Sequence, residues 1–385
     1  MNWRVPLADI DFGLEEEVAV AGVLRSRWLS MGGVTQEFEN EFSAFTGAKH
    51  CIAVTNATAA LHLACVACGV GRGDEVIVPS LTFVATANAV RYAGATPVFA
   101  DIESLDWLTI SPASIEACIT QRTRAIVVMH YAGFACDMPA ILKIAERHGL
   151  RVIEDAAHAI GSELDGRHLG TWGNAGCFSF FSNKNMTTGE GGMLATDDDE
   201  IAKRLRILRS HGMTSLSWDR HRGHASTYDV VALGYNYRID EMRSTLGRVQ
   251  LKKLPVNNQR RRHLTMLYRD LLAELAPQVH MPFLEARGEG CYHIMPVLLP
   301  RETDRFDFME AMKAQGIQTS IHYPPVHRFQ IYRDAGRGHR SGQSLELTEE
   351  AAAREVTLPL YPTMLDEQVE WVVQSVRNAL GELKG

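Results

Sequence analysis

Short β-branched runs alternate with longer helical patterns through the first two-thirds of this 385-residue chain, and that rhythm constrains the fold more than any other feature. Strand-like segments lie at residues 51–54, 75–78, 96–99, 125–129, 151–154 and 177–180, with helical patterns at 59–68, 85–92, 115–119 and 138–148 between them. Strands that recur with crossover connections predict an α/β protein whose mainly parallel sheet is covered on both faces. Ligands of such sheets sit beyond the carboxyl ends of the strands, so that edge is where chemistry is expected.

From about Ile239 the pattern changes to long helices at 241–254 and 259–275. The second carries Arg260-Arg261-Arg262, which reads as a solvated helix face. A strand at 292–299, a helix at 305–315, a loop at 322–326 and a closing helix at 367–380 complete a smaller α/β domain. The expected division is residues 1–250 and 251–385, without a flexible linker, internal repeat or low-complexity segment. A length of 385 residues at roughly 100–200 residues per domain agrees with this division.

A formal net charge of −7 gives no electrostatic reason to bind nucleic acid or an anionic membrane, so any phosphate must be held locally. The stretch 76–90 contains Pro79 and Asn88 and falls short of the ~20 apolar residues of a membrane helix. With no signal-peptide pattern at the amino terminus, a cytoplasmic protein is expected. Seven cysteines without regular spacing fit reduced thiols. Cys65 and Cys68 read as small core residues, because no second cysteine or histidine pair stands at metal spacing, and no metal site is expected.

Most of the eight lysines lie in charged, helical surroundings; Lys184 does not, with no other charge between Gly173 and Gly189. Desolvation disfavours the ammonium, and a neutral amine is the nucleophile that imine chemistry requires; by itself the residue also reads as a lysine snorkelling from a strand end. Asp155 ends the apolar strand Arg151-Val152-Ile153-Glu154 and is followed by Ala156-Ala157-His158. A carboxylate there could keep the ring nitrogen of pyridoxal 5′-phosphate protonated, or could cap the next segment. Asn56-Ala57-Thr58-Ala59 is a strand-to-helix turn whose amides and hydroxyl suit a phosphate, although Asn56 or Thr58 could simply cap the helix. Pro79-Ser80-Leu81-Thr82-Phe83 brings Phe83 to the same edge, either to stack on a planar cofactor or to fill core.

The order Thr58, Phe83, Asp155, His158, Ser179, Lys184, with Gly189-Glu190-Gly191-Gly192 after the lysine, resembles the DegT and StrS type of sugar aminotransferase from about Trp28 to Pro362. The resemblance implies the pyridoxal-phosphate enzyme fold type I, with a mainly parallel seven-stranded sheet between helices and a smaller C-terminal α/β domain. It implies that Lys184 links to the cofactor, that Asp155 pairs with the pyridine nitrogen, and that His158 contacts the ring hydroxyl. Phe83 would stack on the ring, and Ala57, Thr58 and Ser179 would bind the phosphate. In Gly234-Tyr235-Asn236-Tyr237-Arg238, Asn236 would reach the neighbouring subunit's cofactor, making a homodimer with shared sites.

On the substrate side, the segment from His211 through Trp218 to Gly223 resembles a loop that approaches a nucleotide diphosphate, with Arg220 supplying planar donors; it also reads as a basic surface loop. His322, Tyr323 and His327 resemble the sugar-side loop, and Trp28 and Ser30 belong to another, where Met31 and Gly33 depart from the family pattern. The implied reaction moves an amino group from L-glutamate to a nucleotide-linked 4-keto-6-deoxyhexose or similar 4-keto sugar. Pyridoxamine 5′-phosphate stands between the two halves, and the pathway is amino-sugar biosynthesis for an antibiotic or polysaccharide. The alternatives are the same transfer to a 3-keto sugar or an inosose, and a non-catalytic cofactor-binding sensor.

Overall fold

The computed structural model describes residues 3–214, 227–285, 287–333, 340–341 and 344–382. The main strands are β1 (His50–Val54), β2 (Glu75–Pro79), β3 (Thr96–Ala100), β4 (Thr123–Met129) and β5 (Arg151–Asp155). A small hairpin follows, β6 (Glu163–Leu164) and β7 (Arg167–His168). β8 (Ala175–Ser179) and β9 (Gly192–Thr196) then complete seven strands, as the resemblance implies. Two residues near the C-terminal part, β11 (Arg340–Ser341), add an eighth at the edge, giving the order β1-β9-β8-β5-β4-β2-β3-β11. Every pairing in this sheet is parallel except those of β9, which runs antiparallel to β1 and to β8.

The period of two in the strands sorts their side chains into two cores. Cys51, Ala53, Ile126 and Val128 enter the core on one face, and Ile52, Val54, Ala125 and Val127 enter the core on the other. The helix Ala57–Ala67 lies on the second face, where Leu61, Ala64 and Cys65 are buried. All seven cysteines are buried and none is in a disulfide, so Cys65 and Cys68 are core residues. β9 is not predicted by its sequence, because Gly192-Met193-Leu194-Ala195-Thr196 carries one β-branched residue. Its two neighbours and full burial fix it as a strand instead.

The two helices expected at 241–254 and 259–275 are one helix, Glu241–Leu275, with Pro255 inside it. Proline removes one backbone donor, but Pro255 is on the exposed side and the helix is clamped on both flanks. Leu251 and Leu254 pack into the core of the large sheet, and Leu264, Tyr268 and Leu272 pack into a separate core around β10 (Met295–Leu298) and β12 (Glu355–Leu358). β10 and β12 form an antiparallel pair supported by the helices Arg305–Ala314 and Asp366–Glu382. The arginine run on the long helix is not a uniformly solvated face. Arg262 is exposed, but Arg261 is buried and its Nη1 donates to the carbonyls of His293 (3.1 Å) and Leu360 (2.9 Å). No helix among the described residues is long and apolar enough to cross a membrane.

Glu241 ties the start of this helix to the start of another, Gly33–Thr46. Its buried carboxylate accepts from the amides of Gly32 (2.8 Å), Val34 (2.8 Å) and Thr35 (2.9 Å) and from the Thr35 hydroxyl (2.6 Å), satisfying amides that a helix start leaves without partners. Removing the acceptor strands these donors, so Glu241→Ala is expected to cost roughly 2–4 kcal/mol of stability. Thermal unfolding of the two proteins checks this, and an unchanged melting temperature would remove the capping role.

Candidate active site

Sheet register brings three strand ends together. Gly192, the first residue of β9, pairs with Val54 on one side and Ser179 on the other, and Asp155 pairs with Cys177 two residues before Ser179. The helix Ala57–Ala67 starts three residues after Val54, with the Asn56 side chain capping it by accepting from the Ala59 amide at 2.8 Å. An ideal Cβ on Gly192 would lie 2.6 Å from the Asn56 carbonyl carbon and 2.8 Å from the Ala57 nitrogen. Glycine there lets β9 press against the helix start. The loop that carries Lys184 leaves β8 and returns to β9, closed by bonds from the Phe180 amide to the Gly191 carbonyl and from the Thr188 amide to the Phe180 carbonyl, both 2.9 Å. Gly189 makes its turn at φ +77°, a conformation that suits a residue without a Cβ.

These elements enclose a cavity of about 490 Å³. Ala57, Thr58, Phe83, Asp155, His158, Ser179 and Lys184 line it, joined by His322 and Tyr323 from the C-terminal part of the chain. Phe83 is 53% exposed and its ring stands 5.6 Å from that of Tyr323, so it is a wall of the cavity and not core.

Asp155 is buried; its Oδ2 accepts from the Thr86 hydroxyl at 2.7 Å and its Oδ1 from the Ala157 amide at 3.2 Å. Thr86 spends its one hydrogen on Asp155, so the Thr82 hydroxyl, 2.8 Å away, donates to Thr86 in turn. Burial pushes the Asp155 carboxyl above its ordinary value, and the two donors and Lys184 oppose that shift. Burial pushes Lys184 the other way, down to about 8, against the opposing pull of Asp155 and Cys291. The Lys184 Nζ lies 3.3 Å from His293 Nε2. His158 Nε2 bonds to the Tyr323 hydroxyl at 2.9 Å, while its Nδ1 is buried with no hydrogen-bond partner. Burial and Lys184 hold His158 well below the ordinary histidine range, and the same causes bring His322 down to about 4. The cavity therefore presents an amine that sheds its proton near pH 8, a buried carboxylate whose direct donors are a hydroxyl and an amide, and uncharged imidazoles. Its far wall is a helix start suited to an anion.

Not every expected site residue lies here. His327 sits behind the wall, its Nδ1 2.6 Å from the Ser80 hydroxyl and its Nε2 2.9 Å from Glu349. The half-buried Trp28 and the exposed Ser30 do not line the cavity; their loop is held by Glu241. Asn236 is exposed and also outside it, between Tyr235 and Tyr237, whose rings stack at 5.1 Å. Arg220, with the expected diphosphate loop around it, lies outside the described residues. Sequence reasoning passed over Thr86, Asn185 and His293. The only signal for His293 was a polar residue leading into an apolar strand, and Thr86 stood in an unremarkable helical pattern. Among the described residues, no group of three or more His, Cys, Asp or Glu is placed to hold a metal ion.

Comparison with known proteins agrees with this geometry. Residues 11–377 match the model of the DegT/DnrJ/EryC1/StrS aminotransferase family. The chain is 41% identical over 371 residues to the spore coat polysaccharide biosynthesis protein SpsC of Bacillus subtilis (strain 168), covering 95% of this chain and 94% of that protein. A putative sugar aminotransferase from Streptococcus pneumoniae, solved in its PMP-form, superposes with a TM-score of 0.92 at 27% identity, over 99% of this chain and 100% of that one. Helicobacter pylori PseC, an aminotransferase involved in the biosynthesis of pseudoaminic acid, superposes with a TM-score of 0.89 at 30% identity, again over 99% and 100%. A match that spans nearly the whole chain, together with a lysine and an aspartate facing one cavity at the strand ends, makes this protein a member of the DegT/DnrJ/EryC1/StrS aminotransferase family, pyridoxal-phosphate-dependent sugar aminotransferases of fold type I.

Proposed function

We propose that this enzyme transfers the amino group of L-glutamate to a nucleotide-linked 4-keto sugar, such as a 4-keto-6-deoxyhexose, in the assembly of a polysaccharide or related glycan. The observation that carries the reading is Lys184, an amine brought down to about 8 in the same cavity as the buried Asp155. The names of two similar proteins, one in spore coat polysaccharide biosynthesis and one in pseudoaminic acid biosynthesis, support a sugar acceptor.

The residues present fit the cofactor. The His158 Nδ1, buried and without a partner, offers itself to a ring hydroxyl, and Asp155 offers a negative charge to a protonated ring nitrogen. Phe83 supplies an open aromatic face, and the amides of Ala57 and Thr58 with the Ser179 hydroxyl supply an anion cradle. When bound, pyridoxal 5′-phosphate supplies the electron sink for the donor's α-carbon. Lys184 holds the cofactor in the resting enzyme and, once released, moves a proton from the donor's α-carbon in the first half-reaction and to the sugar carbon in the second. The Thr82–Thr86 hydroxyl chain favours the ionised form of Asp155 against the opposing effect of burial, and Tyr323 orients His158 from across the cavity. Asn236, exposed and away from its own cavity, serves the neighbouring subunit of a homodimer.

Three outcomes follow. Lys184→Ala lowers turnover by roughly 10⁴-fold or more, the scale of losing both nucleophile and proton carrier, while melting at the parent's temperature; near-normal steady-state rates would refute the assignment. Because the folded value of Lys184 is below that of a free lysine, its amine is neutral above about pH 8. Capture of pyridoxal phosphate by cofactor-free protein should therefore accelerate as pH rises toward about 8 and level off beyond it, and a rise continuing toward pH 10 would mark an ordinary lysine. Last, the enzyme supplied with glutamate should aminate nucleotide-linked 4-keto sugars, scored by product mass. Amination confined to 3-keto sugars or inososes would keep the transfer and discard this acceptor.

A further inference from the structure

Beside Lys184, and not among the residues that line the large cavity, lies a group with no part in the proton transfers above. Asn185 spends both amide hydrogens, donating through Nδ2 to Asn258 Oδ1 and to the Cys291 carbonyl, each at 2.8 Å. Its Oδ1 must therefore be the atom facing His293 Nδ1 at 2.9 Å, and an oxygen there can only accept. His293 Nδ1 consequently carries the ring hydrogen, and Nε2, 3.3 Å from Lys184 Nζ, is bare. Arg261 fixes the same residue from the long helix by donating to the His293 carbonyl at 3.1 Å.

We propose that His293 is a positioning residue for Lys184: its bare Nε2 accepts one N–H of the ε-amino group, so the lone pair of the free amine is turned away from His293 toward the cavity. Asn185 acts one step further back, by dictating the tautomer. The ionisable groups around this pair are Asp155 at the end of β5, His158 after it, Cys291 beside it, His322 on the C-terminal loop and Arg261 on the long helix. Burial, reinforced by His158, Lys184 and Arg261, holds His293 well below the ordinary histidine range, so it remains an acceptor throughout the pH interval in which Lys184 titrates.

This inference rests on Lys184 being the amine that captures the cofactor, and one experiment separates the two. Capture of pyridoxal phosphate by the cofactor-free full-length chain is timed from pH 6 to 10, and the attachment is mapped after borohydride reduction. Above the Lys184 midpoint all the amine is neutral, so the plateau rate reads orientation alone. His293→Phe, which keeps a planar ring without an acceptor, lowers that plateau by roughly tenfold or more. It also lowers the midpoint, because the ammonium form loses a hydrogen-bond acceptor. His293→Gln, whose amide oxygen can accept, recovers most of the plateau; Asn185→Ala, which frees the tautomer, loses part of it and keeps the test alive should the Phe variant not fold. Melting temperatures that fall while plateau and midpoint stay at parent values would make His293 merely structural and overturn the inference. A reduced tag mapped away from residue 184 would instead overturn the reading of Lys184 itself.

Discussion

Gly192 sits where three parts of the site meet, bonded through β9 to Val54 and Ser179 and pressed against the Asn56–Ala57 peptide so closely that a Cβ would fall 2.6 Å from a backbone carbon. The consequence is geometric. The start of the helix Ala57–Ala67, the Ser179 backbone and the loop bearing Lys184 are held at fixed spacing by main-chain contacts, not by side chains that could change rotamer. β9 runs antiparallel because the twelve residues between β8 and β9 form the Lys184 loop at the strand ends and turn straight back, without a crossover along the sheet. The single reversal in an otherwise parallel sheet therefore belongs to the construction of the site.

Around that frame, burial sets the protonation states. An isolated carboxylate and an ammonium both lose their charge on leaving water, and here burial raises Asp155 and lowers Lys184 together. The protein treats the two differently. Asp155 receives a hydroxyl backed by a second hydroxyl and a backbone amide, all donors that favour the anion. Lys184 receives an imidazole nitrogen that can only accept and so favours the ammonium, yet burial still brings the amine down to about 8. Environments that push an acid and a base apart from their ordinary behaviour are what a site for proton transfer requires.

Much of this was legible in the sequence, and the exceptions share a cause. Periodicity located β1 to β5 and β8, and Lys184 and Asp155 stood out through local context, a lysine among uncharged residues and a carboxylate ending an apolar run. What failed depended on partners distant along the chain. β9 owes its strand to neighbours on both sides, and the helix through Pro255 owes its continuity to two cores, one at each end. Arg261 looked solvated until the carbonyls of His293 and Leu360 gave it buried partners. Thr86 and His293 acquire meaning only beside Asp155 and Lys184, contacts between residues 69 and 109 positions apart.

The wall opposite the strand ends has a different character. Ser320, Ile321, His322 and Tyr323 come from the C-terminal part and dock through the Tyr323–His158 bond and a bond from the Tyr131 hydroxyl to the His322 carbonyl. At neutral pH this wall carries no charge, since burial brings His322 down to about 4 and raises the Tyr323 phenol far above its ordinary value. The Thr357 hydroxyl lies 2.5 Å from Glu355 and 2.8 Å from His322 Nδ1, which ties the imidazole to β12. Neutral donors and acceptors of this kind discriminate by leaving a buried group unpaired when a hydroxyl is missing or displaced, a penalty that rejects wrong sugars more strongly than attraction selects right ones. One fold can thus keep its strand-end frame while an uncharged wall of this kind sets which ligand fits beside it.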